Sequence, residues 1–249
     1  MRRSYPSPAE LDALRSLSVP TLVNAIETFK VMDPNQGCCD SSIVCRFPGL
    51  PLMVGYAVTS KVATDQPLGQ VMHGIDEHAY WDFVAGQPGP KIAVCKDIDR
   101  PSFGAMWGEF NSNVHRALGC EGAIVDGAVR DLDGVEKLGF RFFSRAVHPS
   151  HGNGFFVDYG APVRVGGLEV ATGDLLVADP HGVLRIPESI PLDELAEVAR
   201  EIDRLEGEVF ALCKSPSFTV DKLKELDASV MKRWPDPRRR AAPQEQRHH

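Results

Sequence analysis

Apolar positions along the chain change period several times, and each change predicts a new element. From Ser7 to Phe29 they fall at helical spacing, with Leu11, Leu14 and Leu17, then Leu22, Val23 and Ile26, on either side of a break expected at Pro20. Between Met32 and Pro51 cysteine, glycine, proline and serine accumulate, which predicts an irregular loop; Leu52–Val62 then reads as a strand. Thr64–Pro90 has no clear period, gathers His73, Asp76, Glu77, His78, Tyr80 and Trp81, and is expected to form a helical lid. Short apolar runs at Lys91–Cys95 and Ala123–Asp126 predict strands, with a helix between them from Gly104 to Leu118. Downstream we expect a helix over Leu132–Leu138, a strand over Phe140–Arg145, and short strands through Asp158–Pro187 with turns at Gly166-Gly167, Gly173-Asp174 and Asp179-Pro-His-Gly182.

Leu195, Val198, Ile202, Leu205, Val209 and Leu212 recur at steps of three and four, drawing one apolar stripe along a helix expected from Pro191 to Cys213. Such a stripe requires a partner surface. The tail from Pro235, with Arg238-Arg-Arg240 and His248-His249, is polar and expected to lack order. The alternation of strands and helices is that of a mixed α/β protein, without an internal repeat.

Composition narrows the function classes. A chain of 249 residues that is 43% hydrophobic has enough apolar material for an ordinary core. Its net charge of −7 gives no global attraction to nucleic acid or anionic lipid, so a small-molecule partner is expected and a nucleic-acid partner is not. No run approaches the roughly 20 apolar residues of a membrane-spanning helix, and no apolar signal core follows the N-terminal Met1-Arg-Arg, so we expect a cytoplasmic protein without membrane association. Cys38, Cys39, Cys45, Cys95, Cys120 and Cys213 form no Cys-x-x-Cys pair and read as reduced structural thiols; Cys38, Cys39 and Cys45 as a metal site is the lesser alternative.

The chemistry concentrates in Gly119-Cys-Glu-Gly-Ala-Ile-Val-Asp-Gly-Ala-Val-Arg-Asp131. Here an apolar strand emerges at Asp126-Gly127 and delivers a cation and a carboxylate side by side. Strand ends are where α/β proteins place sites. Spacing alone supports equally well a structural pair in which Asp131 caps the helix beginning at Leu132.

Four features together decide between these readings: Gly108-Glu109, the Asp126-Gly-Ala-Val-Arg-Asp131 run, Leu138-Gly-Phe140 and the Gly173-Asp174 to Pro187 hairpin. They resemble the superfamily of class II 4-hydroxy-4-methyl-2-oxoglutarate aldolases and regulators of ribonuclease activity A, the RraA-like proteins, over roughly Pro20 to Ser215. Members have also been labelled demethylmenaquinone methyltransferases, but no glycine-rich nucleotide-binding fingerprint is present.

The resemblance implies a swivelling β/β/α-type single domain with N- and C-terminal helices, forming homotrimers or homohexamers with sites between subunits. Residues 1–19 would be a helical extension, 20–215 the catalytic domain, and 216–249 a C-terminal extension with the tail. It implies that Asp131 binds Mg²⁺ or Mn²⁺ directly and that Arg130 grips the keto oxygen of a small 2-oxo acid. Backbone N–H groups of Gly108, Glu109, Phe110 and Asn111 would hold the substrate carboxylate, as helix N-termini do for anions. Glu109 and a neighbouring subunit's Glu206 would contact metal-bound waters. The implied reaction is C–C cleavage of a 4-hydroxy-2-oxo acid, or decarboxylation of oxaloacetate, through a pyruvate enolate stabilised by metal and Arg130.

By themselves, Glu206 beside stripe residue Leu205 reads as a solvated edge residue and Glu109 as a first-turn acid favoured by the helix dipole. Asn24 stands where many relatives carry Asp, and the Gly69–Gln87 region and the cysteine-rich loop look longer than in compact members. His148-Pro-Ser-His151 and His181 form an alternative metal cluster that lacks a His-Glu-x-x-His helix; His78, His148 and His151 are candidate proton donors. Two other functions remain open, a non-catalytic regulatory binding protein and a metal-dependent hydrolase or isomerase acting on another oxo acid.

Overall fold

The computed structural model describes residues 6–33, 36–65, 74–99 and 101–236. His73, part of the Gly69–Gln87 region and the tail from residue 237 onward fall outside them. In chain order the elements are α1 (Pro8–Arg15), α2 (Val19–Phe29), β1 (Val44–Cys45), β2 (Met53–Ala63), α3 (Glu77–Gly86), β3 (Lys91–Asp97), α4 (Glu109–Ala117) and β4 (Cys120–Val129). These are followed by α5 (Leu132–Lys137), β5 (Arg141–Val147), β6 (Phe155–Tyr159), β7 (Val163–Val165), β8 (Leu168–Val170), β9 (Leu175–Asp179), β10 (Gly182–Arg185), α6 (Leu192–Cys213) and α7 (Val220–Arg233). The chain forms two compact units, the described residues of Met1–Pro34 with Ser189–His249, and those of Asn35–Glu188. No helix among the described residues is long and apolar enough to cross a membrane.

The first unit is helical. Ser7 and Glu10 form a reciprocal capping box on α1, and Ser18 caps α2. The break in the expected Ser7–Phe29 helix therefore falls before Val19. Pro20 lies in the first turn of α2, where its missing N–H costs nothing. The predicted stripe on α6 is buried from Leu195 through Leu205, with α1 and α2 packed against the helix. Beyond Leu205 the helix is clamped by charge, as Arg204 and Arg233 both grip Glu208 and so join α6 to α7. The reading of residues 216–249 as extension and tail overlooked α7, although Val220, Leu223 and Val230 behind the capping Thr219 carry its signal.

The second unit is built on a sheet of order β1-β5-β4-β3-β2-β9-β10, with β6 also paired to β2. β2, β3, β4 and β5 run parallel, and the other strands of this sheet add antiparallel. Side chains alternate across the sheet, so both faces are apolar. Ala93, Cys95, Ala123 and Val125 join one core with Tyr80, Trp107 and Val135 from the α3, α4 and α5 side. Ile92, Val94 and Ile124 join the other, with Val163, Val165 and Leu168 of the β7-β8 hairpin. The four parallel strands all end at one edge of the unit, where α/β sheets place their ligands.

Asp126 did not end its strand as expected. Its side chain is 2% exposed on the hairpin face, held by Lys96 Nζ at 2.7 Å and Arg145 Nε at 2.6 Å, and it accepts from Gly166 N–H. These partners let β4 continue three residues further, to Val129.

Candidate active site

Arg130 and Asp131 come directly after β4. A parallel bridge between Trp107 and Val129, followed by a hydrogen bond from Arg130 N–H to the Trp107 carbonyl at 2.8 Å, zips the segment before α4 onto the strand end. This explains why α4 starts at Glu109 and not near Gly104, since Trp107 is committed to extended pairing. Gly108, Glu109, Arg130 and Asp131 are thereby brought together.

The helix-cap reading of Asp131 makes a definite prediction, a hydrogen bond from its carboxylate to the first turn of α5. Asp131 does occupy the N-cap position, yet its side chain makes no cap bond and its backbone lies in the left-handed region at φ 56°. The carboxylate turns away to α4, where Oδ2 accepts from Glu109 N–H at 3.0 Å. A non-glycine residue in this conformation is uncommon and costs on the order of 1 kcal/mol or more, which concentrates such residues at functional sites. Arg130 Nε stands 3.5 Å from the same oxygen, is buried, and makes no hydrogen bond among the described residues.

Gly108 is required by space. A Cβ there would collide with Asp131 Oδ2 and approach Arg130 Cγ to 2.9 Å. Its φ of −145° is accessible to any residue. Gly134 does the same for Glu109, whose carboxyl carbon would lie 2.8 Å from an added Cβ. No side chain caps α4, so the N–H groups of Phe110 and Asn111 lie in an open first turn, where a helix favours an anion. The Phe110 ring is 68% exposed at this rim. Asn111 turns its side chain back to donate to the Met106 carbonyl at 2.7 Å.

Asp131 Oδ1 makes no hydrogen bond among the described residues, and its side chain is 40% exposed. A carboxylate with one oxygen fixed and the other open to solvent fits a hard divalent cation that keeps most of its waters. Among the described residues, no three His, Cys, Asp or Glu side chains gather into a metal-holding group. His148 Nδ1 lies against the Ser150 backbone, His78 packs at a tilt beside Trp81 and His181 pairs with Asp179. Glu206 stands on α6 in the helical unit, half-buried.

The sequence reading missed the residues beneath the site. His115 of α4 is fully buried between Tyr80 and the Asn111 carbonyl, and burial lowers its pKa to about 4. Protonation then favours the unfolded chain. The stability that neutral His115 contributes is complete above pH 6.5 and is lost as pH falls towards 4, about 3 kcal/mol in all. Denaturant titrations between pH 7 and pH 4.5 should show this loss, and His115→Phe should flatten it.

A family model described as RraA-like, Aldolase/RraA, matches residues 19–185, two thirds of the chain and all of the Gly108 to Asp131 site. The chain belongs to the RraA-like family. Two curated relatives of this RraA-like chain overlap half of it or less. A Halalkalibacterium halodurans protein named "Putative 4-hydroxy-4-methyl-2-oxoglutarate aldolase" is 35% identical over 41% of this chain and 48% of its own length. An uncharacterized protein of Methanocaldococcus jannaschii is 32% identical over 42% of this chain and 50% of its own. The chain thus spans about half the length of these relatives.

Solved structures agree on the RraA-like fold. An uncharacterized Pseudomonas syringae protein superposes with a TM-score of 0.68 at 23% identity, covering 89% of this chain and all of the other. Streptomyces coelicolor RraAS2, described as an unusual member of the RNase ES inhibitor RraA protein family, gives 0.62 at 22% identity over 84% and 98%. Glu206 lies beyond the residues that the family model matches.

Proposed function

We propose that this protein is a divalent-metal-dependent lyase that cleaves the C–C bond of a 4-hydroxy-2-oxo acid or decarboxylates oxaloacetate, releasing pyruvate. The observation that carries this reading is the posture of Asp131. It abandons the helix it could cap, accepts a strained backbone, and holds one oxygen open beside a buried, unsatisfied Arg130 Nε. The aldolase name of one relative supports the reaction class.

In this reading Asp131 would hold Mg²⁺ or Mn²⁺ directly, and Glu109 with Glu206 of a neighbouring copy would contact the cation's waters. Bound there, the cation supplies Lewis-acid polarisation of the substrate's keto group. The α4 N-terminus, through the N–H groups of Phe110 and Asn111, receives the substrate carboxylate. Arg130 faces the keto oxygen and neutralises the negative charge that grows there as the C–C bond breaks. Arg130 Nε stands 3.5 Å from Asp131 Oδ2, so the planar guanidinium lies beside the carboxylate that would hold the cation.

The test is a lactate-dehydrogenase-coupled pyruvate assay over oxaloacetate and a panel of 4-hydroxy-2-oxo acids, with Mg²⁺ or Mn²⁺ and with chelator. Metal-dependent pyruvate release from at least one acid is expected. Its absence from every acid would leave a non-catalytic regulator as the better account.

Two variants refine this. Arg130→Lys keeps the charge and loses the planar fork, so kcat/KM should fall roughly 10²-fold, as when one oxyanion-stabilising donor is removed. Gly108→Ala pushes Asp131 and Arg130 out of place and should also cost roughly 10²-fold. Gly49→Ala, whose methyl meets nothing within 4 Å, should match the parent in the same assay.

A further inference from the structure

We propose that Tyr80 and His115, joined by a buried hydrogen bond, are positioning residues that hold the N-terminus of α4 in register with the end of β4, and so set the anion cradle of the site. The inference rests on the lyase reading and extends it to two residues outside the Gly108 to Asp131 site.

With the His115 ring neutral, the two hydrogen bonds have only one consistent direction. His115 Nδ1 lies 2.7 Å from the Asn111 carbonyl, which can only accept, so Nδ1 carries the proton. Nε2 is then bare and accepts from the Tyr80 hydroxyl at 3.0 Å. The chain runs from Tyr80 O–H to His115 Nε2, and from Nδ1–H to Asn111. The other neutral tautomer leaves Nδ1 without a proton for the Asn111 carbonyl, and burial keeps the ring neutral down to about pH 4.

His115 grips both sides of Gly108. Downstream it bonds Asn111, whose N–H belongs to the cradle. Upstream its ring packs on Trp107, with centroids 4.5 Å apart, and Trp107 is the residue bridged to Val129 and bonded to Arg130. Ser112 Oγ closes the turn on the Gly108 carbonyl at 2.7 Å.

Tyr80 supplies the fixed end. Its ring sits 4.6 Å from Phe156 and is fully buried. The buried Lys91 ammonium bonds the carbonyls of Ala85, in the last turn of α3, at 3.3 Å and of Leu118, at the end of α4, at 2.7 Å. With the C-terminal ends of α3 and α4 tied to one cation, and Tyr80 in the first half of α3 tied to His115 in the last turn of α4, α4 cannot slide along its axis without breaking buried hydrogen bonds. A shift of about 1 Å at its N-terminus is enough to cost on the order of 10²-fold in a reaction that depends on orientation.

The test compares the parent with Tyr80→Phe, which removes one oxygen and keeps the ring, and His115→Phe, which keeps a packed ring without the hydrogen bonds. Calorimetry on the full chain measures Mn²⁺ affinity, and then oxalate affinity of the Mn²⁺-loaded protein. Folded variants with Mn²⁺ affinity within about twofold of the parent and oxalate affinity weakened tenfold or more are expected, since Asp131 stands between β4 and α5 and the cradle is on α4. Oxalate affinity within twofold of the parent in folded Tyr80→Phe would overturn the proposal, as would parallel loss of Mn²⁺ and oxalate binding, which marks general loosening of the fold. If His115→Phe fails to fold, Tyr80→Phe decides. A parent that binds neither Mn²⁺ nor oxalate refutes the lyase reading itself, an outcome separable from failure of the variants.

Discussion

Asp131→Asn is expected to fold as the parent does and to lose metal-dependent pyruvate release by at least about 10³-fold, the upper end of what removing a single charge-stabilising group costs. Asparagine tolerates the left-handed backbone at this position, and its amide oxygen still accepts from Glu109 N–H. What it lacks is the charge that draws a divalent cation out of water. Asp131→Ala should be equally inactive, with an added loss of about 1 kcal/mol because alanine is strained at positive φ. Steady-state assays with increasing Mn²⁺, together with thermal unfolding, check both parts. Activity retained by Asp131→Asn at saturating metal would remove the residue from the mechanism.

The second large effect belongs to the other acid of the same run. Asp126→Asn is expected to leave the site chemistry in place and to cost about 3 kcal/mol of stability, the lower end of the range for breaking a buried ion pair. The lower end applies because Lys96 and Arg145 are themselves 23% and 32% exposed and regain some water when stranded. In a protein of this size that is a fall of roughly 6–12 °C in Tm.

Burial alone would raise the Asp126 pKa, but hydrogen bonds and charge from Arg145 and Lys96 outweigh it and hold it at about 2. A depressed carboxylate stabilises the fold above its unfolded pKa. The contribution is therefore complete above about pH 4 and is lost as pH falls from there towards 2. Asp126→Asn should abolish that part of the acid transition and leave the His115 part, between pH 6.5 and 4, unchanged.

These two aspartates show what was readable in the sequence. Both belong to one Asp-Gly-Ala-Val-Arg-Asp run, and both were visible as acids near a strand end. The residues that separate their roles come from elsewhere in the chain. Lys96, Arg145 and Gly166 bury and neutralise Asp126, whereas Gly108 and Glu109 draw Asp131 away from its own helix. Asp-Gly reads locally as a turn, and the pairing of Ala128 and Val129 with β5, with the Trp107 bridge to Val129, carries the strand past it.

The mixed α/β class and most of the elements followed from period and turn chemistry, because the parallel strands are apolar on both faces and the α6 stripe is long. The start of α4 was misplaced because Trp107 is claimed by a bridge to Val129, a contact between residues far apart in sequence. The roles of Tyr80 and His115 were hidden for the same reason. Nothing in their local sequence indicates that α3 and α4 meet over the core.

The most direct test of the account is anomalous diffraction at the manganese edge from crystals grown with Mn²⁺ and oxalate. The account predicts a peak within coordination distance of the Asp131 carboxylate, with oxalate between it, Arg130 and the N-terminus of α4. A manganese peak at the histidines of 148–151, at Cys38, Cys39 and Cys45, or anywhere that leaves Asp131 without metal would contradict it.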